Sequence, residues 1–400
     1  MLKIVIINGG RGASTIIPAL LSLEDKSITS IVNAYDDGKS TGEIRKFFNM
    51  LGPSDIRKVQ ELFLPSSDET SDYKALFGYR YPLDVDHDDV IFGLREFALS
   101  KSNTICNFSF SDPIVLNGLR EITKCFVDSL EMLERSKGVR FNFSDCSIMN
   151  CLYAGAFIQN SRSIEKTAMF FKELFQLRGS VISNCIENRH LVAQRENGEV
   201  LVCEADIVEL RSNVKIDRIY LLDNALEHSD INNFNESESK SFLEMHDSFV
   251  EISQSSLTAL RDADIIIYSS GTQHSSLYPT YMTRGFGKAI ASNKKAFKVF
   301  ITNIGADYET PSYNASDFIK GAYRYLNLAE KNKIKFQELF DLMILNENDS
   351  KENYVKLDRE NLSSLDCKIV YSDIELDGHP GKHDGKKTVD VIIKEYKSVL

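Results

Sequence analysis

Residues 3–37, KIVIINGGRGASTIIPALLSLEDKSITSIVNAYDD, constrain the fold more than any other stretch of this chain. Ile4 to Ile7 is a short apolar, β-branched run of the kind shown by a strand buried on both faces of a parallel sheet. It leads into Asn8-Gly9-Gly10-Arg11-Gly12-Ala13-Ser14-Thr15 and then into a helical stretch with Ile16, Ile17, Leu20, Leu21 and Leu23 on one face. Strand, glycine turn and helix in that order leave backbone N–H groups free at the carboxyl edge of a sheet, a place suited to anions and above all to phosphates. Gly9, Gly10, Gly12, Ser14 and Thr15 are the candidate phosphate contacts. A second strand over 28–34 ends in Asp36-Asp37, so a pair of carboxylates is expected beside that turn.

Two familiar fingerprints fail. Gly10-x-Gly12 is followed by Thr15 where the dinucleotide pattern G-x-G-x-x-G requires glycine, which argues against an NAD enzyme. Gly38-Lys39-Ser40 imitates a P-loop, but Asn33 stands where its first glycine would be.

Buried strands and amphipathic helices alternate along the rest of the chain. The strands are expected at 180–182, 216–222, 263–268, 298–302 and 340–345, and the helices at 41–48, 56–62, 90–99, 116–133, 164–177, 281–291 and 315–326. That alternation predicts an α/β protein with a doubly wound, mostly parallel sheet. Ligands then bind outside the carboxyl ends of the strands. Asn197-Gly198 between 191–195 and 200–204 is a hairpin signal. Ser54 and Asp55 are expected at the start of a helix facing the same crevice, with Arg57 available to an anion. Asn150 is a lone polar residue in a nearly all-apolar helix, serving either as a helix cap or as a ligand contact. Residues 66–72 read as a polar loop, 84–89 as an acidic solvated loop and 228–242 as an exposed linker. The expected division is a core of 1–64 and 141–345, a mainly helical insertion of 65–140, and a C-terminal extension of 346–400 packing on the core.

A net charge of −11 leaves no basic stripe for nucleic acid. The seven cysteines include no C-x-x-C pair, so reduced thiols in a cytoplasmic protein are the expectation. No apolar run approaches the length of a membrane span. A homodimer is left open.

The motifs together resemble the CofD/YvcK family, the 2-phospho-L-lactate transferases and their bacterial relatives. The resemblance rests on GGRGAST at 9–15, VNAYDDGKSTGEIRK at 32–46, LGPSDIRK at 51–58, FGYRY at 77–81, SIMNCLYAG at 147–155, RGSVISN at 178–184, ADIIIYSSGT at 263–272 with Pro279, ETPSYNASDF at 309–318 and SDIELDG at 372–378. It implies a Rossmann-like fold that binds a nucleoside-diphosphate conjugate or nucleotide sugar. CofD proteins pass a phospholactyl group to an alcohol with Mg²⁺, and YvcK proteins bind a UDP-sugar and act in carbon and cell-wall metabolism. Carried over, Asp36 and Asp37 would be catalytic, with Asp37 on Mg²⁺, and Asn150 would line the pocket. Gly271, Thr272, Asn303, Glu309, Thr310 and Tyr313 would surround the nucleotide or sugar. Three positions depart from the family pattern: Arg11 replaces a small residue, Ser269-Ser270-Gly271-Thr272 replaces a glycine-proline-glycine-serine turn, and Cys146 replaces a histidine.

Overall fold

The computed structural model describes residues 1–65 and 71–400, and of Lys39 only the backbone. The expected loop at 66–70 lies outside the described residues, while Ser71 and Asp72 open the helix Ser71–Gly78. Two compact units form, one of Met1–Tyr35 with Ile182–Leu400 and one of Asp36–Val181. These boundaries differ from the expected ones: residues 36–64 and 141–181 join 65–140 in the second unit, and 346–400 belongs wholly to the first.

The strands, in chain order, are β1 (Leu2–Ile7), β2 (Lys26–Val32), β3 (Thr104–Ile105), β4 (Phe108–Ser109), β5 (Ser180–Ser183), β6 (His190–Arg195), β7 (Val200–Leu201), β8 (Ile216–Leu222), β9 (Ile265–Tyr268), β10 (Phe297–Ile301), β11 (Leu342–Asn346) and β12 (Lys368–Ser372). Seven of them make one parallel sheet in the order β12-β11-β10-β9-β1-β2-β5, so the fold is the α/β, Rossmann-like, doubly wound class that the alternation predicts. β9 is the central strand and β1 lies beside it, with Ile4 opposite Ile28 on one side and Ile265 on the other. Every residue of β9, β10 and β11 is buried, because helices cover both faces. β12 is only half-buried, as befits an edge strand, and its short Ile369-Val370-Tyr371 run was not singled out in the sequence.

β6, β7 and β8 form a separate three-stranded antiparallel sheet in the first unit, its hairpin turned by Gly198 at φ 85°. Residues 228–242 are not a linker. Helices His228–Ile231 and Glu236–His246 occupy them, each opened by a capping box: Glu227 with Asp230, and Asn235 with Glu238. Leu243 is fully buried there with Val192, Val202, Tyr220 and Leu222. Leu243→Ala is therefore expected to destabilise the protein by about 2–5 kcal/mol, readable by urea denaturation, whereas a true linker position would give no measurable change.

The helix expected at 281–291 is interrupted, and an additional turn precedes it. A single π turn, Gln273–Leu277, runs into Tyr278–Tyr281, and Gly285 at φ 85° then separates off Phe286–Ser292. A π turn widens the helix by one residue and commonly marks a working site.

The second unit is mainly helical. The 25-residue helix Pro113–Lys137 packs on Ile148–Gln159, with Asp112 capping the former and Gly138 (φ 67°) ending it. Asp86, from the acidic stretch 84–89, caps His87–Ala98 through the N–H groups of Asp88 and Asp89.

Candidate functional site

In the first unit the turns that follow β1, β9 and β10 meet at one edge of the sheet. The glycine turn is anchored from behind: Asn8 donates to the Gly9 carbonyl (2.7 Å) and accepts from the Ser30 hydroxyl (2.7 Å). A Cβ on Gly9 would stand 2.6 Å from Ser276, and one on Gly12 would stand 2.5 Å from the Ser270 carbonyl oxygen. Only glycine permits that approach. Among the described residues the N–H groups of Gly10, Arg11, Gly12 and Ala13 donate to no protein acceptor, and Arg11, Gly12 and Ser14 are exposed. The turn therefore offers unspent donors, two of them, those of Arg11 and Gly12, on exposed residues. Thr15 caps the short helix Ile16–Leu20 without a side-chain bond.

Asn303 clamps the second corner from both sides. Its Oδ1 accepts from the Gly271 N–H (2.9 Å) and its Nδ2 donates to the Gly271 carbonyl (3.0 Å), which also accepts from Gln273 (2.8 Å). Asn33, just beyond β2, donates to the Ser276 carbonyl (2.8 Å).

Glu309 comes from the loop after β10 and is 3% exposed. Its Oε2 accepts from the N–H groups of His274 (2.9 Å) and Ser275 (3.0 Å), and its Oε1 from the Ser275 hydroxyl (2.5 Å). Burial, reinforced by the nearby Asp307, pushes its carboxyl up to about 7 despite those three donors. Thr310 is buried with its hydroxyl unpaired among the described residues, and Tyr313 reaches this corner through an edge contact with His274.

The segment 374–385 crosses the same edge. The Ser270 hydroxyl donates to His383 Nδ1 (3.2 Å) and His383 Nε2 donates to the Thr302 carbonyl (3.0 Å), which places the proton on Nε2. Gly381 lies against Gly305, and a Cβ on Gly385 would overlap the Thr15 carbonyl. Burial lowers the His383 imidazole to about 4 and that of His274 to about 3.

These groups set a pH dependence whose sign can be worked out. Between pH 6.5 and 4 the unfolded chain binds protons that the two folded histidines refuse, so stability falls as pH falls through that window. Glu309 acts in the opposite sense: its folded carboxyl keeps a proton up to about 7 and its unfolded one only to 4.5, so its stabilisation is lost as pH rises across that range. Two histidines outweigh one carboxyl on the acid side. His383→Gln is expected to flatten the fall in Tm between pH 6.5 and 4.

The expected residues of the second unit also gather, around cations of their own. Asp36 accepts from the Gly38 N–H (3.1 Å) and from Lys58 Nζ (3.3 Å), and Lys58 also reaches Asp55 (3.3 Å). Burial alone would lower the Lys58 ammonium, but Asp55 and Asp36 raise it above its ordinary value. Asp37 lies 3.9 Å from the buried Arg45 guanidinium. The helix at 54–62 is capped by Pro53, so Ser54 and Asp55 are buried first-turn residues rather than caps. Arg57 is buried and spends one N–H on the Phe77 carbonyl (2.7 Å), while its Nε is unpaired among the described residues. Asn150 is a ligand of its neighbours: its Nδ2 donates to Ser40 (3.1 Å) and Thr41 (3.4 Å), while its Oδ1 is buried and unpaired among the described residues.

For Mg²⁺, the donor set at Asp36 and Asp37 is poor. Both carboxylates already face cations, and no group of three His, Cys, Asp or Glu side chains that could hold a metal occurs among the described residues.

Motif reading missed Ser275, Ser276, Gln273, Lys58 and Arg45 as site residues. Arg45 and Lys58 lie inside the motifs at 32–46 and 51–58, which is the signal that could have found them.

The fold and these corners define a doubly wound α/β protein with its polar turns collected on the carboxyl edge of a parallel sheet. The chain belongs to the family of 2-phospho-L-lactate transferase CofD, whose model matches residues 4–375. It is similar to the gluconeogenesis factor of Listeria monocytogenes, at 23% identity over 325 residues, 81% of this chain and 74% of that one. That of Listeria innocua is 22% identical over 396 residues, 98% of this chain and 94% of that one. A crystal structure of a UPF0052 family member from Bacillus halodurans, 19% identical, matches with a TM-score of 0.67 over 98% of this chain and 100% of that one. That likeness is one of fold. No helix among the described residues is long and apolar enough to cross a membrane.

Proposed function

We propose that this protein binds a nucleoside-diphosphate conjugate at the carboxyl edge of the first unit's sheet and transfers a phospho-group from it to an alcohol. The observation that carries the reading is the row of unspent N–H donors at Gly10–Ala13, held beside the Ser270–Thr272 turn by a contact only glycine allows. Donors fixed in advance favour a diphosphate because no chain entropy is lost in aiming them. Membership of a transferase family supports the second half of the reading.

A non-catalytic reading, a nucleotide-sugar-binding regulator of carbon or cell-wall metabolism, has one observation in its favour. Asp36 and Asp37 are charge-compensated by Lys58 and Arg45, an arrangement that suits a structural turn better than a general base. The relatives named gluconeogenesis factor agree with it. Calorimetry with UDP- and GDP-linked sugars tests the binding, and product analysis with an alcohol acceptor separates the two readings. Binding without any product would leave the regulator.

A further inference from the structure

Transfer to an alcohol needs somewhere for the acceptor's proton to go, and the paired aspartates at 36–37 already hold cations. The first unit contains another carboxylate with a hydrogen-bonded route to the rim. The Ser275 hydroxyl is placed to donate to Glu309 Oε1 (2.5 Å) and to Thr272 Oγ1 (3.0 Å), and the Thr272 hydroxyl donates to Ser276 Oγ (2.8 Å). Glu309 and Ser275 are buried, whereas Thr272 and Ser276 are half-buried. Ser276 packs on Gly9, and Thr272 adjoins Gly271, which packs on Gly12. The outer end of the chain therefore opens beside the glycine turn.

We infer that Glu309 is the terminal proton acceptor of the transfer reaction, reached from the acceptor alcohol through Thr272 and Ser275. Each hydroxyl is both donor and acceptor and can rotate, so the three groups can pass one proton without moving a heavy atom. As the acceptor oxygen attacks phosphorus, a new O–P bond forms. The phosphoanhydride P–O bond breaks, and its electron pair leaves with the nucleotide phosphate. The alcohol's proton goes to Thr272 Oγ1; the Thr272 hydroxyl, which at rest donates to Ser276, turns to give its own proton to Ser275 Oγ, and Ser275 gives its own to Glu309 Oε1. A carboxylate becomes a carboxylic acid, which later releases the proton as product departs. Thr272 touches the substrate, and Glu309 and Ser275 act through it.

The environment of Glu309 suits a base that must be charged before the reaction and neutral after it. Its carboxyl is raised to about 7 by burial and by Asp307 on its own loop. His274, on the π turn packed against it, stays neutral, its imidazole lowered first by burial and then by Arg324 and Arg195. A base poised near the working pH is the most effective kind.

The inference rests on the transferase reading, and its test separates the two. The full-length protein is given UDP-glucose or GDP-mannose with glycerol as acceptor, nucleotide release is followed over pH 5.5–8.5, and UDP and GDP binding is measured by calorimetry. The wild-type rate is expected to rise through about pH 7. Glu309→Gln keeps an oxygen for the two backbone N–H groups and is expected to slow release about 100-fold or more and remove that inflection, with UDP or GDP affinity held within about 3-fold. Ser275→Ala leaves both backbone bonds to Glu309 in place and should lose a similar factor, with Ser275→Thr restoring the rate. Wild-type-like turnover in Ser275→Ala, or an unchanged pH profile in Glu309→Gln, overturns the relay while leaving the transferase reading intact. Nucleotide binding with no release by the wild type overturns both.

Discussion

Gly12→Ala is expected to weaken UDP or GDP binding by about 100-fold or more, close to 3 kcal/mol. The new methyl would stand 2.5 Å from the Ser270 carbonyl oxygen and 3.2 Å from Gly271 Cα, both backbone atoms that no side-chain rotation can move aside. The two turns must therefore separate, and the N–H donors of residues 10–13 lose their common aim. Gly12 is exposed, and the core below, Ile4 to Ile7 with Ile16 and Ile17, is untouched. Tm should accordingly stay within a few degrees while affinity falls. Calorimetry beside thermal denaturation reads both quantities. Undiminished affinity in this variant would remove the glycine turn from the binding site.

The second large effect is on stability. A helical glycine replaced by alanine ordinarily gains up to about 1 kcal/mol from helix propensity. Gly155→Ala is expected to reverse that sign and cost about 3 kcal/mol. Gly155 lies in the helix Ile148–Gln159 where it crosses Pro113–Lys137, and a Cβ there would overlap the Ile122 carbonyl and stand 3.1 Å from Phe126 Cβ. The carbonyl belongs to a helix, so relief requires the two helices to part, which exposes Leu119, Phe126 and Leu152. Thermal unfolding of the full chain should show an early transition assignable to residues 36–181 by hydrogen exchange. A neutral or stabilising result would mean that the helices sit further apart than the backbone contact requires.

How much of this was legible in the residues depends on the kind of signal each position carries. β1, β9, β10 and β11 announce themselves because burial on both faces requires an unbroken apolar run, and Asn197-Gly198 announces its hairpin because few residues adopt positive φ. The helix Glu236–His246 did not, since its Asn, Glu and Ser residues look like a linker until its capping boxes and the single buried Leu243 are seen together. β12 was missed for a different reason: its Ile369-Val370-Tyr371 run is only three residues long. At the candidate site, glycines at 9, 10, 12 and 271 could be suspected from their turns. The partners that give the other residues their chemistry could not. Nothing local to Asp36 reveals that Lys58 will neutralise it, and nothing local to Glu309 reveals that it will be sealed against Ser275 and His274. Such facts are long-range, set by which chain segments the sheet brings side by side.

The segment 374–385 has one further implication, for the order in which the protein becomes competent during synthesis. The glycine turn leaves the ribosome first, and Ser270, Asn303 and Glu309 follow, but His383 and Gly385 emerge only after every strand has been made. A nascent chain lacking them carries the ligand-facing turns without the brace that holds Ser270 and Thr302 together, so nucleotide cannot stabilise a half-made chain in the way it stabilises the finished one.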